Sequence, residues 1–389
     1  MAKRRGRPTA GTKKPTLQPT QRRTKQESGL QCTNQKVTQH NVHVKNLREL
    51  TKNAEIRNTD TLITNNGKNI VEEDSDEDDP MWTLGMNTIR PCGCKGVRTC
   101  LSCEQNFQIA KTSLKEQFQQ LEAWSYCIQC DLLQPGWDTN QVQKDHENHK
   151  KDEGLPLPGI LVQEEFLSVD EGAQLIADLD DLPWDISQSG RRKQNFGPKT
   201  NFKKRKLRLG SFAGFPRTTE YVQRRFEDVP LLRGFQTIEQ CSLEYEPSKG
   251  ASIDPHVDDC WIWGERVVTV NCLGDSVLTL TPYEVQQQGK YNLDLVASYE
   301  DELLAPLLTD DQLATFEGKV LRIPMPNLSL IVLYGPARYQ FEHSVLREDV
   351  QERRVCVAYR EFTPMYINGA DIQKGDPVRE KSQIFWQIN

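Results

Sequence analysis

The chain has 389 residues and a formal net charge of −6, and only 36% of its residues are apolar; it is long enough for more than one domain but too poor in apolar side chains for every part to fold. No Phe, Trp or Tyr occurs before Trp82, so the first eighty residues have nothing with which to build a core. The acidic balance argues against a uniform basic coat for nucleic acid, and no apolar run approaches the roughly 18 residues of a membrane span or forms the h-region of a secretory signal. We expect a soluble intracellular protein with no membrane contact, in which the eleven cysteines are thiols or metal ligands.

Residues 1–80 read as a disordered basic tail followed by an acidic linker. Positions 1–50 hold twelve Lys and Arg against only Glu27 and Glu49, whereas 71–79 pack seven acids into nine positions that repel one another and stay extended. Within the tail, Lys3-Arg4-Arg5-Gly6-Arg7-Pro8 has the RGRP core of an AT-hook, which lays arginines along a narrow minor groove. It reads as readily as a nuclear import signal or a solvated arm.

Residues 81–152 are rich in Cys and His. Cys92-x-Cys94-x5-Cys100-x2-Cys103 is followed by Cys127-x2-Cys130 and then by His146 and His149. Six thiols and two imidazoles are enough for two closed tetrahedral zinc sites, and Pro91, Gly93 and Gly96 suit a tight knuckle around the first. A stretch this short of aliphatic residues would gain from a metal staple. The alternative is a set of reduced thiols packed as small hydrophobes, and the second group departs further from the usual finger spacing.

Residues 155–365 form the larger domain. Ser168-x-x-Glu171 is a capping box, and Ala173, Leu175, Ile176 and Leu179 mark the apolar stripe of a short helix that ends before Pro183. Strand signals follow. Residues 241–246 alternate, 267–272, 277–280, 320–323 and 328–334 are short β-branched runs, and 354–361 alternate again. This pattern predicts a mainly β fold, an antiparallel jelly roll or double-stranded β-helix with flanking helices. The polar stretch 286–318 reads as an insertion between strands, and 366–389 as a C-terminal tail.

Only two histidines fall in this domain. His256-Val257-Asp258 follows a strand signal, and with the distal His343 it supplies the two-His, one-carboxylate facial triad of non-haem Fe(II) oxygenases. An HxD alone is common. More specific is Arg354-Val-Cys-Val-Ala-Tyr-Arg360, whose arginines share one strand face roughly 20 Å apart by strand rise. An inward arginine needs an anion, and its fork suits the distal carboxylate of 2-oxoglutarate; otherwise the pair are surface charges on an edge strand.

Taken together, the HxD, the distal His and the Arg-x5-Arg pair resemble the AlkB family of Fe(II)/2-oxoglutarate dioxygenases over about residues 155–365. The segments CGCKGVRTC, QSGRRKQNFGPKTNF, IDPHVDD, WGER and RRVCVAYRE are most similar to its homologue 4 group. The resemblance implies that His256, Asp258 and His343 hold Fe(II) and that Tyr245, Arg354 and Arg360 serve 2-oxoglutarate. Arg354 is expected to set its affinity, with Arg360 farther along toward the substrate mouth. It implies a substrate lid at 190–197, with Arg191, Arg192, Phe196 and the nearby Trp263 meeting the substrate. Phe196 stands where a Tyr is usual, and Leu243 and Cys356 where Asn often contacts the cosubstrate, so fewer polar anchors are expected.

The implied reaction consumes O2 and 2-oxoglutarate in oxidative N-demethylation and releases formaldehyde. The implied substrates are monomethyl-lysine on actin, with actomyosin as partner, and N6-methyladenine in DNA, in the nucleus and cytoplasm. The basic stretch 191–206 suits either acidic partner. Asp254, Asp258, Asp259 and Glu244, expected at the pocket mouth, would favour a methylammonium. A competing reading is a non-catalytic module that tethers an oxygenase fold to chromatin or actomyosin; the intact triad argues against it.

Overall fold

The computed structural model describes residues 90–150, 152–283 and 290–387. The basic tail with its RGRP motif and the acidic linker lie outside the described residues. Among the described residues, no helix is long and apolar enough to cross a membrane.

In chain order the strands begin with β1 (Glu122–Cys127), β2 (Leu132–Pro135), β3 (Ile160–Gln163), β4 (Asp185–Ile186), β5 (Arg191–Phe196), β6 (Lys199–Asn201), β7 (Lys206–Arg208) and β8 (Phe215–Pro216). They continue with β9 (Glu239–Tyr245), β10 (Ile253–His256), β11 (Trp263–Leu273), β12 (Ser276–Pro282), β13 (Lys319–Met325), β14 (Ser329–Leu333), β15 (Phe341–Val345), β16 (Arg354–Phe362) and β17 (Phe385–Trp386). Two sheets contain most of them, in the orders β10-β15-β12-β13-β1-β2 and β3-β14-β11-β16-β9-β5-β4. Leu280, Leu321, Ile323 and Phe341 of the first meet Ile331, Leu333 and Tyr245 of the second in one inter-sheet core. This is the expected jelly roll.

The larger sheet is covered on its other face as well. Val268, Val270, Val357 and Tyr359 pack against Leu175, Leu179 and Phe226, which explains why β11 reads as an almost continuous apolar run instead of alternating. The covering helix, Val169–Asp180, starts at the predicted capping box: Ser168 N–H donates to Glu171 at 2.9 Å and Glu171 N–H to Ser168 Oγ at 3.2 Å.

Three segments differ from the expected layout. The Cys/His region is not an appended module, because its β1 pairs in parallel with β13 and so covers a sheet edge that would otherwise expose its backbone. The C-terminal stretch, read as a tail, forms the helix Ile372–Lys381, with Val378 buried, and β17, which pairs with β8. The insertion folds back onto the sheet: Val296 and Tyr299 pack on Val257, Cys260 and Tyr339 beside the HxD. Its residues 284–289 lie outside the described set.

Candidate active site

The pairing of β10 with β15 puts His256 directly opposite His343, with ring centroids 4.3 Å apart. Asp258 lies just past the end of β10, and ligand atoms of the three residues all fall within 4.8 Å of one another. His256 Nδ1–H donates to the Asp254 carbonyl at 2.9 Å, which leaves its Nε2 lone pair for the centre. Burial lowers the pKa of both imidazoles, His343 well below the usual histidine range, so both are neutral ligands at pH 7. Burial alone would raise the Asp258 pKa, but Arg360 and the two histidines hold it below the usual carboxylate range.

Arg360 is held beside the metal ligands by two carboxylates. Its Nε donates to Asp258 Oδ2 at 2.8 Å, Nη2 to Oδ1 at 3.2 Å, and Nη1 to Glu239 Oε2 at 2.6 Å. One guanidinium between two carboxylates leaves a net negative charge beside two neutral imidazoles. That donor set suits a divalent cation with open coordination positions.

Arg354 is different. Register places Arg191, Tyr245 and Arg354 in one row across β5, β9 and β16. The Arg354 guanidinium lies 4.8 Å from the Tyr245 ring centroid, and its Nε donates to Asn271 Oδ1 at 2.9 Å. Asn271 is itself fixed, because its Nδ2 donates to the carbonyls of Gly274, Met325 and Pro326. Arg354 is 1% exposed and, among the described residues, its Nη1 has no partner and its charge no counter-ion. A carboxylate would complete it, and 2-oxoglutarate fits that requirement. Asn271 was missed from the sequence, although an amide inside the apolar run of β11 was the available signal.

Strand alternation separates the implied substrate residues. Arg191 faces the site, with its guanidinium 5.9 Å from the Tyr245 ring. Arg192 points to the opposite face, where it pairs with Glu244 and lies 5.4 Å from the Trp184 ring. Glu244 also binds Arg353 at 2.8 Å, so it is on the far side of β9 and not at the pocket mouth. Phe196 packs against Trp386 at 6.0 Å, and Trp263 is 2% exposed with its ring 5.8 Å from the Arg360 guanidinium. Trp263 is therefore covered by its neighbours, whereas Phe196 stays partly exposed. Asp254 is paired with Lys111 at 2.9 Å, and Asp259 accepts from Asn292 at 2.6 Å.

The two Cys/His groups close up. Ligand atoms of Cys92, Cys94, Cys100 and Cys103 lie within 4.8 Å of one another, and so do those of Cys127, Cys130, His146 and His149. Gly93 and Gly96 both adopt positive φ, +75° and +52°, to turn the first knuckle. Burial pushes Cys94 up to about 12 and raises Cys103, whereas the Cys103 amide and the neighbouring thiols lower Cys100 despite its burial. In the second group the turn after β1 and the short helix Thr139–Lys144 fold the chain back, bringing His146 Nδ1 to 3.1 Å and His149 Nδ1 to 3.2 Å from Cys130 Sγ.

A three-ligand metal centre beside a receptor for a carboxylate is the arrangement that 2-oxoglutarate-dependent Fe(II) dioxygenases use, and this chain is one of them. It is 36% identical over 299 residues to the alpha-ketoglutarate-dependent dioxygenase alkB homolog 4 of Mus musculus, spanning 74% of this chain and 92% of that protein. It is 37% identical over 288 residues to the Homo sapiens protein of the same name, spanning 74% and 91%. The chain therefore belongs to the alkB homolog 4 family of these dioxygenases. It is also 27% identical over 293 residues to a DNA N6-methyl adenine demethylase of Caenorhabditis elegans, spanning 72% of this chain and 90% of that one. Among solved structures it is similar to a Pseudomonas putida prolyl-4-hydroxylase, with 14% identity and a TM-score of 0.30 over 58% of this chain and 97% of that one. No protein-family model matches the chain.

Proposed function

We propose that the enzyme is an oxidative N-demethylase that also carries two structural zinc ions. Bound Fe(II), with O2 and 2-oxoglutarate, supplies oxidation of a methyl C–H bond; the cosubstrate leaves as succinate and CO2, and the hydroxylated N-methyl group leaves as formaldehyde. The protein supplies orientation. His256 is aimed by the Asp254 carbonyl, Asp258 is kept ionised by Arg360, and Arg354 offers its free Nη1 to the cosubstrate's distal carboxylate. The orphaned Arg354 cation carries the cosubstrate part of this reading. Succinate release under Fe(II) and ascorbate, abolished in His256→Ala, tests it; equal turnover in that variant would sink it.

For the substrate we keep monomethyl-lysine in actin, with actomyosin as partner, as one reading. Its acidic-mouth argument loses Glu244 and the paired Asp254. N6-methyladenine in DNA is favoured by a specific observation: Arg191 faces the pocket, and the β6–β7 hairpin exposes Lys203, Lys204 and Arg205 beside a Phe202 that is 48% exposed. The Caenorhabditis elegans relative's name supports the same reading. Formaldehyde release from methylated actin peptides and from N6-methyladenine oligonucleotides decides between them. DNA binding should weaken steeply with salt because neutralised phosphates release counterions. Zinc in the four-cysteine group and in the mixed Cys/His group is supported by their closed geometry, and element analysis after mild chelation of iron tests it. Both nuclear and cytoplasmic residence fit this pair of substrates.

A further inference from the structure

The four-cysteine knuckle touches, on three sides, the segments that carry active-site residues. On the first side Gly93 sits so tightly against the end of β4 that an added Cβ would come 2.6 Å from the Ile186 side chain. Arg98 Nη1 donates to Gln188 Oε1 at 3.1 Å, two residues before Gly190. The next residue is Arg191, over the Tyr245 ring. On the second side Leu101 packs so closely on Gly250, φ +60°, that a Cβ there would lie 2.5 Å from its Cγ. Lys111, in the segment that leaves the knuckle after the helix Leu101–Phe107, binds Asp254 Oδ1 through Nζ at 2.9 Å, and it is the Asp254 carbonyl that orients His256. On the third side Arg347, four residues past His343, donates to Glu104 Oε2 at 2.8 Å and to the Thr99 carbonyl at 3.1 Å.

Apart from polar contacts such as Arg90 Nη1 to the Gly96 carbonyl at 3.0 Å, the knuckle has a very small apolar core. Among the described residues its buried cluster consists of Cys94, Cys100 and Cys103, with Cys92 and Phe107 against it. Four thiolates on one cation would make this loop rigid, and without the cation it has only that small core to fall back on. The elements it braces are supported otherwise by the inter-sheet core, which does not depend on it.

We infer that the four-cysteine centre is a clamp for the active site, through which its metal occupancy governs the affinity for Fe(II) and 2-oxoglutarate. The inference rests on the zinc reading above. Lys111 and Arg347 are positioning residues in it, acting through Asp254 and the segment after β15. Outer supports of this kind typically change metal affinity by about 10–100-fold.

The test uses the full-length holoenzyme, with zinc measured by element analysis, Fe(II) affinity by anaerobic titration, and KM for 2-oxoglutarate separated from kcat. Cys100→Ser/Cys103→Ser is expected to lose one zinc, keep the jelly roll's cooperative unfolding, and raise both the Fe(II) Kd and the cosubstrate KM by about tenfold or more. Lys111→Met keeps all four thiols and should raise the Fe(II) Kd with zinc retained, whereas Lys111→Arg should recover it. Zinc lost from the double variant with both affinities unchanged would overturn the clamp, as would a silent Lys111→Met. Wild-type protein without zinc in this group would overturn metal control through the zinc reading itself. The contacts of Lys111 would then be judged by Lys111→Met alone, a raised Kd upholding the bracing of His256 and an unchanged one refuting it.

Discussion

Arg354 is buried without a carboxylate partner among the described residues, an arrangement that costs stability until an anion arrives. Arg354→Ala should therefore raise the KM for 2-oxoglutarate more than tenfold while leaving kcat at saturation within a few-fold, since a hydrogen bond to a charged group is worth about 1.5–3 kcal/mol. Arg354→Lys should rescue little, because an ammonium lacks the fork that can hold Asn271 and a carboxylate at once. Arg360 answers to a different measurement. Arg360→Ala removes both N–H donors from Asp258 and should weaken Fe(II) binding by about 10–100-fold, read in an anaerobic titration. If the two variants exchanged these phenotypes, their roles would be reversed. At this scale the triad was legible from residue type alone, because only two histidines lie in the domain. The role of Arg360 was not, since spacing fixes the face of a strand but not which neighbour lies across from it.

Among the elements, the helix Val169–Asp180 was readable because its capping box and apolar stripe are local signals. Its Glu171 does more than cap: it also pairs with Arg225, and that hydrogen bond first, with the Ser168 amide second, lowers its pKa to about 2. A depressed carboxylate stabilises the fold above its unfolded pKa and loses that effect as pH falls through its folded value. Glu171→Gln should thus be less stable than wild type at pH 7, by about 1 kcal/mol at most for so exposed a pair. The difference should shrink below about pH 4.5 and vanish near pH 2, as chemical-denaturation midpoints across that range would reveal. A pH-independent difference would mean that the side chain acts through packing instead. The segment 190–197 shows the limit of local reading: its composition suggested a lid, yet it is β5, and pairing with β9 sends Arg191 and Arg192 to opposite faces.

For the whole molecule, the prediction concerns recruitment. Truncating residues 1–80 removes most of the tail's basic charge and the RGRP motif, so it should abolish most DNA affinity while leaving succinate formation and demethylation of a monomethyl-lysine peptide nearly intact. Retained binding and turnover of N6-methyladenine oligonucleotides by the truncated enzyme would make the β6–β7 hairpin, and not the tail, the main DNA contact.

The sequence by itself determined the chemistry of the centre and the kind of fold that holds it. Both rest on short-range information: ligand types two residues apart, β-branched runs bounded by turns, and a strand with an arginine near each end. Only the tertiary structure decided that the Cys/His region shares a sheet with the catalytic domain, that the C-terminal stretch is packed, and that Glu244 lies away from the pocket. It also decided that, among the described residues, Arg354 is left without a counter-ion while Arg360 has two. These are matters of which strand pairs with which and in what register, and pairing between residues more than a hundred positions apart leaves no periodic trace in either partner.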